Sequence, residues 1–296
     1  MIIKTNIEFL RDPFILLHDG VYYAYGTDVT SGDWNATVWA CYKNTSGRLD
    51  GEWTRIQKQL YVDPEFAVKN HWAPEVHEYK GSFYMFATYY SSQTEHKGCA
   101  VLKSDSPEGP FEEISNGHVT PPDIDAIDGT LYVDADGQPW MIYVWEWSCT
   151  DDGVGKMAAA KLSDDLTCFI SEPAVLFRAD EPSWAAAPVT DGCFMYETET
   201  HELLMLWSNM CADGYCVGVA KSSGGTVTGK WEHFDELLFS KQTTGEYDGG
   251  HGMIFKALDG KKYLTVHSPN TQNEETGERV VIISVREENG RLICDI

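Results

Sequence analysis

The chain has 296 residues, 43% hydrophobic and 12% aromatic, which is ample for a packed core and excludes a disordered protein. Its 22 basic side chains stand against 46 acidic ones, a formal net charge of −24. That balance argues against nucleic acid or an anionic membrane as partner, since both require basic patches, and no run of about 18 apolar residues offers a spanning helix.

The chain opens Met1-Ile2-Ile3-Lys4-Thr5, without the apolar core and small-residue cleavage site of a signal peptide, so the cytoplasm is the expected compartment. From Leu10 onward one pattern recurs. An aromatic-rich apolar run follows a turn at Val21–Tyr25, Phe83–Ala87, Trp140–Val144, Leu203–Trp207 and Tyr263–His267. The turns begin at Asp19, Lys80, Asp136, Thr200 and Asp259, stepping by 61, 56, 64 and 59 residues. Each run has a strand-like stretch before its turn and a second one downstream, so each unit holds up to four strands joined by Asp-Gly-type hairpins. Runs apolar on both faces read as strands buried between layers, and no stretch keeps a 3.6-residue period long enough for more than a few helices.

Five four-stranded units in tandem predict an all-β, five-bladed β-propeller filling residues 1–296. The expected blades are roughly 10–62, 70–120, 125–178, 186–240 and 248–296, with residues 1–9 as a strand that closes the ring and protects its edges. A two-sheet sandwich would not explain a period that spans the whole chain.

The eight cysteines (41, 99, 149, 168, 193, 211, 216 and 294) are scattered, with no Cys-x-x-Cys pair and no zinc spacing. Several, such as Cys41, Cys99 and Cys216, sit in apolar runs, as small hydrophobes in a reducing compartment would.

Chemistry concentrates just ahead of each unit's first strand. The segments read Asp12-Pro13-Phe14, Pro74-Glu75-Val76, Asp128-Gly129-Thr130, Asp191-Gly192-Cys193 and His251-Gly252-Met253. Four acids and one histidine thus occupy near-equivalent places, which turn formation alone does not require. In a propeller these positions meet at one end of the axis. Carboxylates crowded there repel, so at least one should hold its proton, and a neutral acid beside an ionised one is what glycoside hydrolysis uses. Tryptophans crowd the same segments. Most should pack between blades, while Trp72 and Trp145, next to the acid positions, are expected to face a sugar ring.

Together, Arg11-Asp12-Pro13-Phe14-Ile15, His71-Trp72-Ala73-Pro74-Glu75, Ile127-Asp128-Gly129-Thr130, Val189-Thr190-Asp191-Gly192 and Gly249-Gly250-His251-Gly252-Met253 resemble the family-43 glycoside hydrolases. That group comprises five-bladed propellers acting as arabinofuranosidases, xylosidases and arabinanases. The resemblance implies inverting hydrolysis of α-L-arabinofuranosyl or β-xylosyl linkages in oligosaccharides derived from plant polysaccharides, without an organic cofactor. It implies Asp12 as general base, Asp128 as the residue that orients the acid and modulates its pKa, and Asp191 as general acid. Trp72, Glu75, Trp145, Glu146 and His251 are expected around the substrate. His251 matches a histidine that contacts a metal ion directly or through water, and calcium is the ion an acidic funnel would favour. One departure stands out: the family's usual Glu-Gly-Pro at the acid reads Asp191-Gly192-Cys193. The shorter side chain leaves Glu75 or Glu146 as alternative proton donors and a sugar-binding propeller without activity as the alternative function.

Overall fold

The computed structural model describes residues 1–245, 247–270 and 277–296; of the expected fifth blade, 271–276 lie outside the described residues. A first strand, β1 (Ile2–Glu8), precedes five sheets. The first sheet runs β2 (Leu10–His18), β3 (Val21–Asp28), β4 (Val38–Asn44), β5 (Thr54–Arg55), and the second β6 (Ala67–Tyr79), β7 (Ser82–Ser91), β8 (Lys97–Ser104), β9 (Glu112–Glu113). The third is β10 (Ala126–Val133), β11 (Pro139–Trp145), β12 (Lys156–Lys161), β13 (Ala174–Arg178). The fourth is β14 (Asp191–Glu197), β15 (Leu203–Cys211), β16 (Gly214–Ser222), β17 (Trp231–His233). The last holds β18 (Gly250–Lys256), β19 (Lys262–Ser268), β20 (Arg279–Glu288) and β21 (Arg291–Cys294). Helix is confined, among the described residues, to a 3₁₀ turn at Trp147–Cys149 and one turn of α-helix at Lys241–Thr244.

Each sheet is an antiparallel meander, and the hairpins between first and second strands use the turn chemistry their sequences carry. Asp19-Gly20 and Lys80-Gly81 have both central residues left-handed (49° and 77°; 49° and 79°), the twist that suits a two-residue connection. The first strands β2, β6, β10, β14 and β18 pack on one another in succession and then back onto β2, closing a circle around the axis. The protein is a five-bladed β-propeller. The outer edge of the fifth blade is shared: β1 pairs with β20 at Ile2↔Ile283 through Glu8↔Arg279, and β21 pairs with the other end at Val285↔Cys294 through Glu288↔Arg291. Residues from both ends of the chain therefore finish one blade.

The core lies between blades. Trp39, Tyr25 and Phe111 fill the first gap, Phe86, Val101 and Tyr143 the second, Phe177 and Trp207 the third, Leu206, Val219 and Leu264 the fourth, and Tyr22, Phe255 and Ile282 the fifth. This explains why the second strands β7 and β15 are apolar on both faces. Most tryptophans serve here, as the sequence led one to expect. All eight cysteines are free, and four are buried.

Two histidines are locked neutral in these gaps. His118 lies against the Tyr89 ring at 4.4 Å and His233 against Phe177 at 4.7 Å. Burial pushes each down to about 4. Because the unfolded chain binds those protons near pH 6.5, stability is full above that value and falls as pH drops from about 6.5 towards 4. The melting temperature should therefore decline across that window, and His233→Leu should flatten the decline. A slope unchanged in the variant would show that the His233 proton is not part of it.

Candidate active site

Each first strand breaks its register at one common place, and β6 alone carries two further breaks upstream, at Ala67/Lys69 and Lys69/Trp72. The common breaks fall between Arg11 and Phe14, Trp72 and Glu75, Ile127 and Thr130, Asp191 and Phe194, and Gly250 and Met253. Inside each bulge one residue adopts a left-handed backbone: Asp12 (54°), Ala73 (41°), Asp128 (56°), Gly192 (48°) and His251 (50°). Such conformations in non-glycine residues are costly, by about 1–3 kcal/mol each, and concentrate where backbone must aim a side chain.

The bulges are fastened to their neighbours by a repeated hydrogen bond. The residue paired with the start of each bulge is Thr27, Thr88, Val144, Ser208 or His267. The Ala73 N–H donates to Thr27 Oγ1 at 2.7 Å, Asp128 N–H to Thr88 Oγ1 at 3.0 Å, His251 N–H to Ser208 Oγ at 2.8 Å, and Asp12 N–H to His267 Nδ1 at 3.2 Å. Every bulge amide is thus accepted by a side chain of the preceding blade. Blade three breaks the series, since Val144 has no acceptor. There the Gly192 N–H donates to Asp128 Oδ2 at 2.9 Å instead. A buried amide needs a partner, so Asp128 is tied to the strand that carries Asp191.

These strands surround an open cavity of about 300 Å³ whose wall includes Asp12, Asp128, Asp191 and His251. His251 sits at the centre, its Nδ1 3.2 Å from Asp12 Oδ1 and 3.9 Å from Asp128 Oδ2. The distant carboxyls therefore do converge. Burial alone would lower His251, but the charges of Asp12 and Asp128 and the Asp12 hydrogen bond raise it to about 9, so it is an imidazolium at neutral pH. Burial would raise Asp12, yet His251 and Arg11 pull it well below the usual carboxylate range. Thr27 also donates its hydroxyl to Asp12 Oδ2 at 2.7 Å. Asp128 and Asp191 move the other way. Burial raises both; the charge of Asp12 adds to both, and that of Asp128 adds to Asp191. One cavity thus holds an ionised carboxylate and carboxyls that favour their protons.

The opposite wall is aromatic, with Trp34, Trp72 and Trp147 on the cavity. Trp34 and Trp72 stand edge to face at 6.2 Å and 88°. Arg11 lies over Trp34 at 4.8 Å and Lys97 over Trp72 at 5.2 Å. Lys97 is ion-paired with Glu146, which also reaches the cavity. Faces of this kind suit the C–H side of a sugar, and the carboxyls suit its hydroxyls.

Two expected contributors lie off the wall. Glu75 is 5% exposed and binds His77 Nε2 at 3.0 Å. Its register makes it the counterpart of Phe14 and Thr130, beyond the bulge, whereas Ala73 holds the slot that Asp12 and Asp128 fill. Trp145 ends β11 with its ring under Lys156 Nζ at 4.8 Å, and the side-chain alternation of a strand gives the cavity to Glu146 instead. Asp191 stands one position before its bulge residue, level with Arg11, Trp72 and Ile127, all cavity-lining. Arg11, Trp34, Trp147 and Tyr215 are wall residues that the sequence reading did not assign.

As for an ion, no three His, Cys, Asp or Glu side chains among the described residues are grouped to hold one. The Asp12 oxygens face His251 and Thr27, so the residues present do not form a calcium shell. A calcium ion would have to draw most of its roughly six to eight oxygens from water.

The model of glycosyl hydrolases family 43 matches residues 6–290. The chain belongs to glycosyl hydrolases family 43. Among solved structures, the chain is similar to an endo-arabinase from Bacteroides thetaiotaomicron VPI-5482, 33% identical, covering 98% of each chain with a TM-score of 0.83. A thermostable family-43 glycoside hydrolase superposes with a TM-score of 0.84 over 99% of this chain and 95% of its own, at 21% identity. An extracellular endo-α-(1→5)-L-arabinanase of Bacillus subtilis (strain 168) is 26% identical over 152 residues, which is 48% of this chain and 45% of that protein. The matched stretch thus spans less than half of the B. subtilis relative. The chain is thus a member of a glycoside hydrolase family, and its cavity is the active-site candidate.

Proposed function

We propose that this family-43 hydrolase cleaves pentosyl linkages, α-L-arabinofuranosyl first and β-xylosyl second, in oligosaccharides from plant polysaccharides, with inversion. The observation that carries the reading is that Asp12, Asp128 and Asp191 line one cavity with Asp12 held 3.2 Å from His251, an arrangement that favours charge on Asp12 and a proton on Asp191. Asp191 gives its proton to the glycosidic oxygen as the C–O bond breaks. A water attacks the anomeric carbon from the other side and yields its proton to Asp12. Asp128, tied to Gly192 and near His251, orients Asp191 and holds its pKa up. Glu146 is ion-paired with Lys97, and Glu75 lies off the cavity wall against His77, so Asp191 is the acid placed for the transfer. Arabinan ranks first because the 33%-identical structure and the B. subtilis relative are both named for it.

The test is a panel of aryl pentosides with short arabinan and xylan oligomers, following the released anomer by NMR. Inverted pentose supports the reading. Binding without release of reducing sugar would leave only the sugar-binding alternative. Calcium near the axis, reached through water, is a separate proposal on which the reaction above does not depend. Metal that survives dialysis against chelator at a stoichiometric level supports it, while metal-free protein with full turnover removes it.

A further inference from the structure

Tyr215 lines the cavity, yet neither the base nor the acid role involves it. It is 3% exposed, and its hydroxyl lies 3.1 Å from Asp191 Oδ2. The ring is confined on both sides. It stacks on His267 at 5.5 Å and 23°, and a Cβ on Gly250 would come within 2.4 Å of its Cε1. Its N–H donates to Asp248 Oδ2 at 3.0 Å, and Asp248 Oδ1 accepts the Asn270 N–H at 3.2 Å. Tyr215 is the second residue of β16, straight after the β15–β16 hairpin, so it has little freedom to swing away.

We infer that Tyr215 is the positioning residue of the acid: its O–H donates to Asp191 Oδ2, so the transferable proton is carried on Oδ1, toward the scissile oxygen. The inference rests on Asp191 being the acid. A phenol that stays protonated can only donate to a charged carboxylate, and burial raises Tyr215 well above the usual tyrosine range, with Asp191 adding to the shift. As Oδ1 delivers its proton to the leaving oxygen, negative charge grows on the carboxylate and the Tyr215 hydrogen bond strengthens. The bond therefore assists the transition state more than the ground state. It also compensates for the short aspartate, whose carboxyl would otherwise be free to rotate about its last torsion. The other groups facing Asp191 are Asp128, Asp12 and His251, and Arg11 faces Tyr215; none of these is altered by the change proposed below.

The experiment is kcat and KM against pH for wild type, Tyr215→Phe and Asp191→Asn. Each is measured on a dinitrophenyl pentoside and on the matching unactivated oligosaccharide. For Tyr215→Phe, kcat on the oligosaccharide should fall about tenfold, while KM and turnover of the dinitrophenyl substrate hold within about twofold. Losing a donor to the carboxylate raises the pKa of the acid, so the alkaline limb should move up by about half a pH unit. Tyr215→3-fluorotyrosine keeps the shape with a stronger donor and should move the limb down, a readout independent of whether the phenylalanine variant folds. Equal losses on both substrates, or a limb that stays fixed in the two variants, would overturn the inference. Asp191→Asn with oligosaccharide turnover intact would instead remove the acid assignment beneath it.

Discussion

Asp12→Asn lowers kcat by about 10³–10⁴ on oligosaccharides and dinitrophenyl pentosides alike, in line with loss of a positioned base. The water must lose its proton whichever group departs, so the quality of the leaving group cannot rescue the variant. Removing this charge also deprives His251 of its strongest stabilising partner, so the imidazolium pKa should fall from about 9. A histidine titration followed by NMR would report that shift beside the kinetics. In wild type, Asp12 stays ionised far into the acid range, because His251 and Arg11 hold its proton off. The acid limb of kcat/KM should therefore lie below the usual carboxylate range. A dinitrophenyl pentoside turned over by Asp12→Asn at near the wild-type rate would exclude Asp12 as base.

Asp191→Asn should divide the substrates. An unactivated oligosaccharide needs the leaving oxygen protonated, and kcat should fall by about 10²–10⁴. A dinitrophenyl pentoside carries a leaving group that departs as the anion, and the loss there should be small. The pH profile adds the sign. Burial and the charge of Asp128 raise Asp191, so it keeps its proton through the range where an exposed aspartate has lost it. Activity is then sustained toward neutrality and lost as pH rises through the elevated pKa, and that limb should vanish in Asp191→Asn. Persistence of the limb would assign it to another group.

The blade count was legible because each blade repeats local chemistry: a tight turn, an apolar run, a second run. Asp19-Gly20 and Lys80-Gly81 announce hairpins whose geometry follows from two adjacent left-handed residues. The convergence of Asp12, Asp128 and Asp191 was legible for the same reason, since equal positions in equal blades must meet. The exact slot was not. Glu75, Asp128 and Asp191 look equivalent in sequence, yet the bulge register sets Glu75 beyond the slot and Asp191 before it. A bulge leaves little trace in composition when its left-handed residue is Ala73 or Asp12 rather than glycine. Trp145 and Glu146 illustrate the parity of a strand end, where one step takes a side chain off the cavity wall. Tyr215 had no signal ahead of it, because its role depends on how the blade of Asp191 meets the blade of His267.

The amide fastening makes the alignment of the aspartates a property of the finished circle. Asp12 receives its partner His267 and its cation His251 from the last blade, and that blade is knitted by strands from both termini. A nascent chain would thus carry all three aspartates from residue 191 onward with no working centre until the fifth blade is made. Competence arrives late, in a single event, when the fifth blade docks against the first.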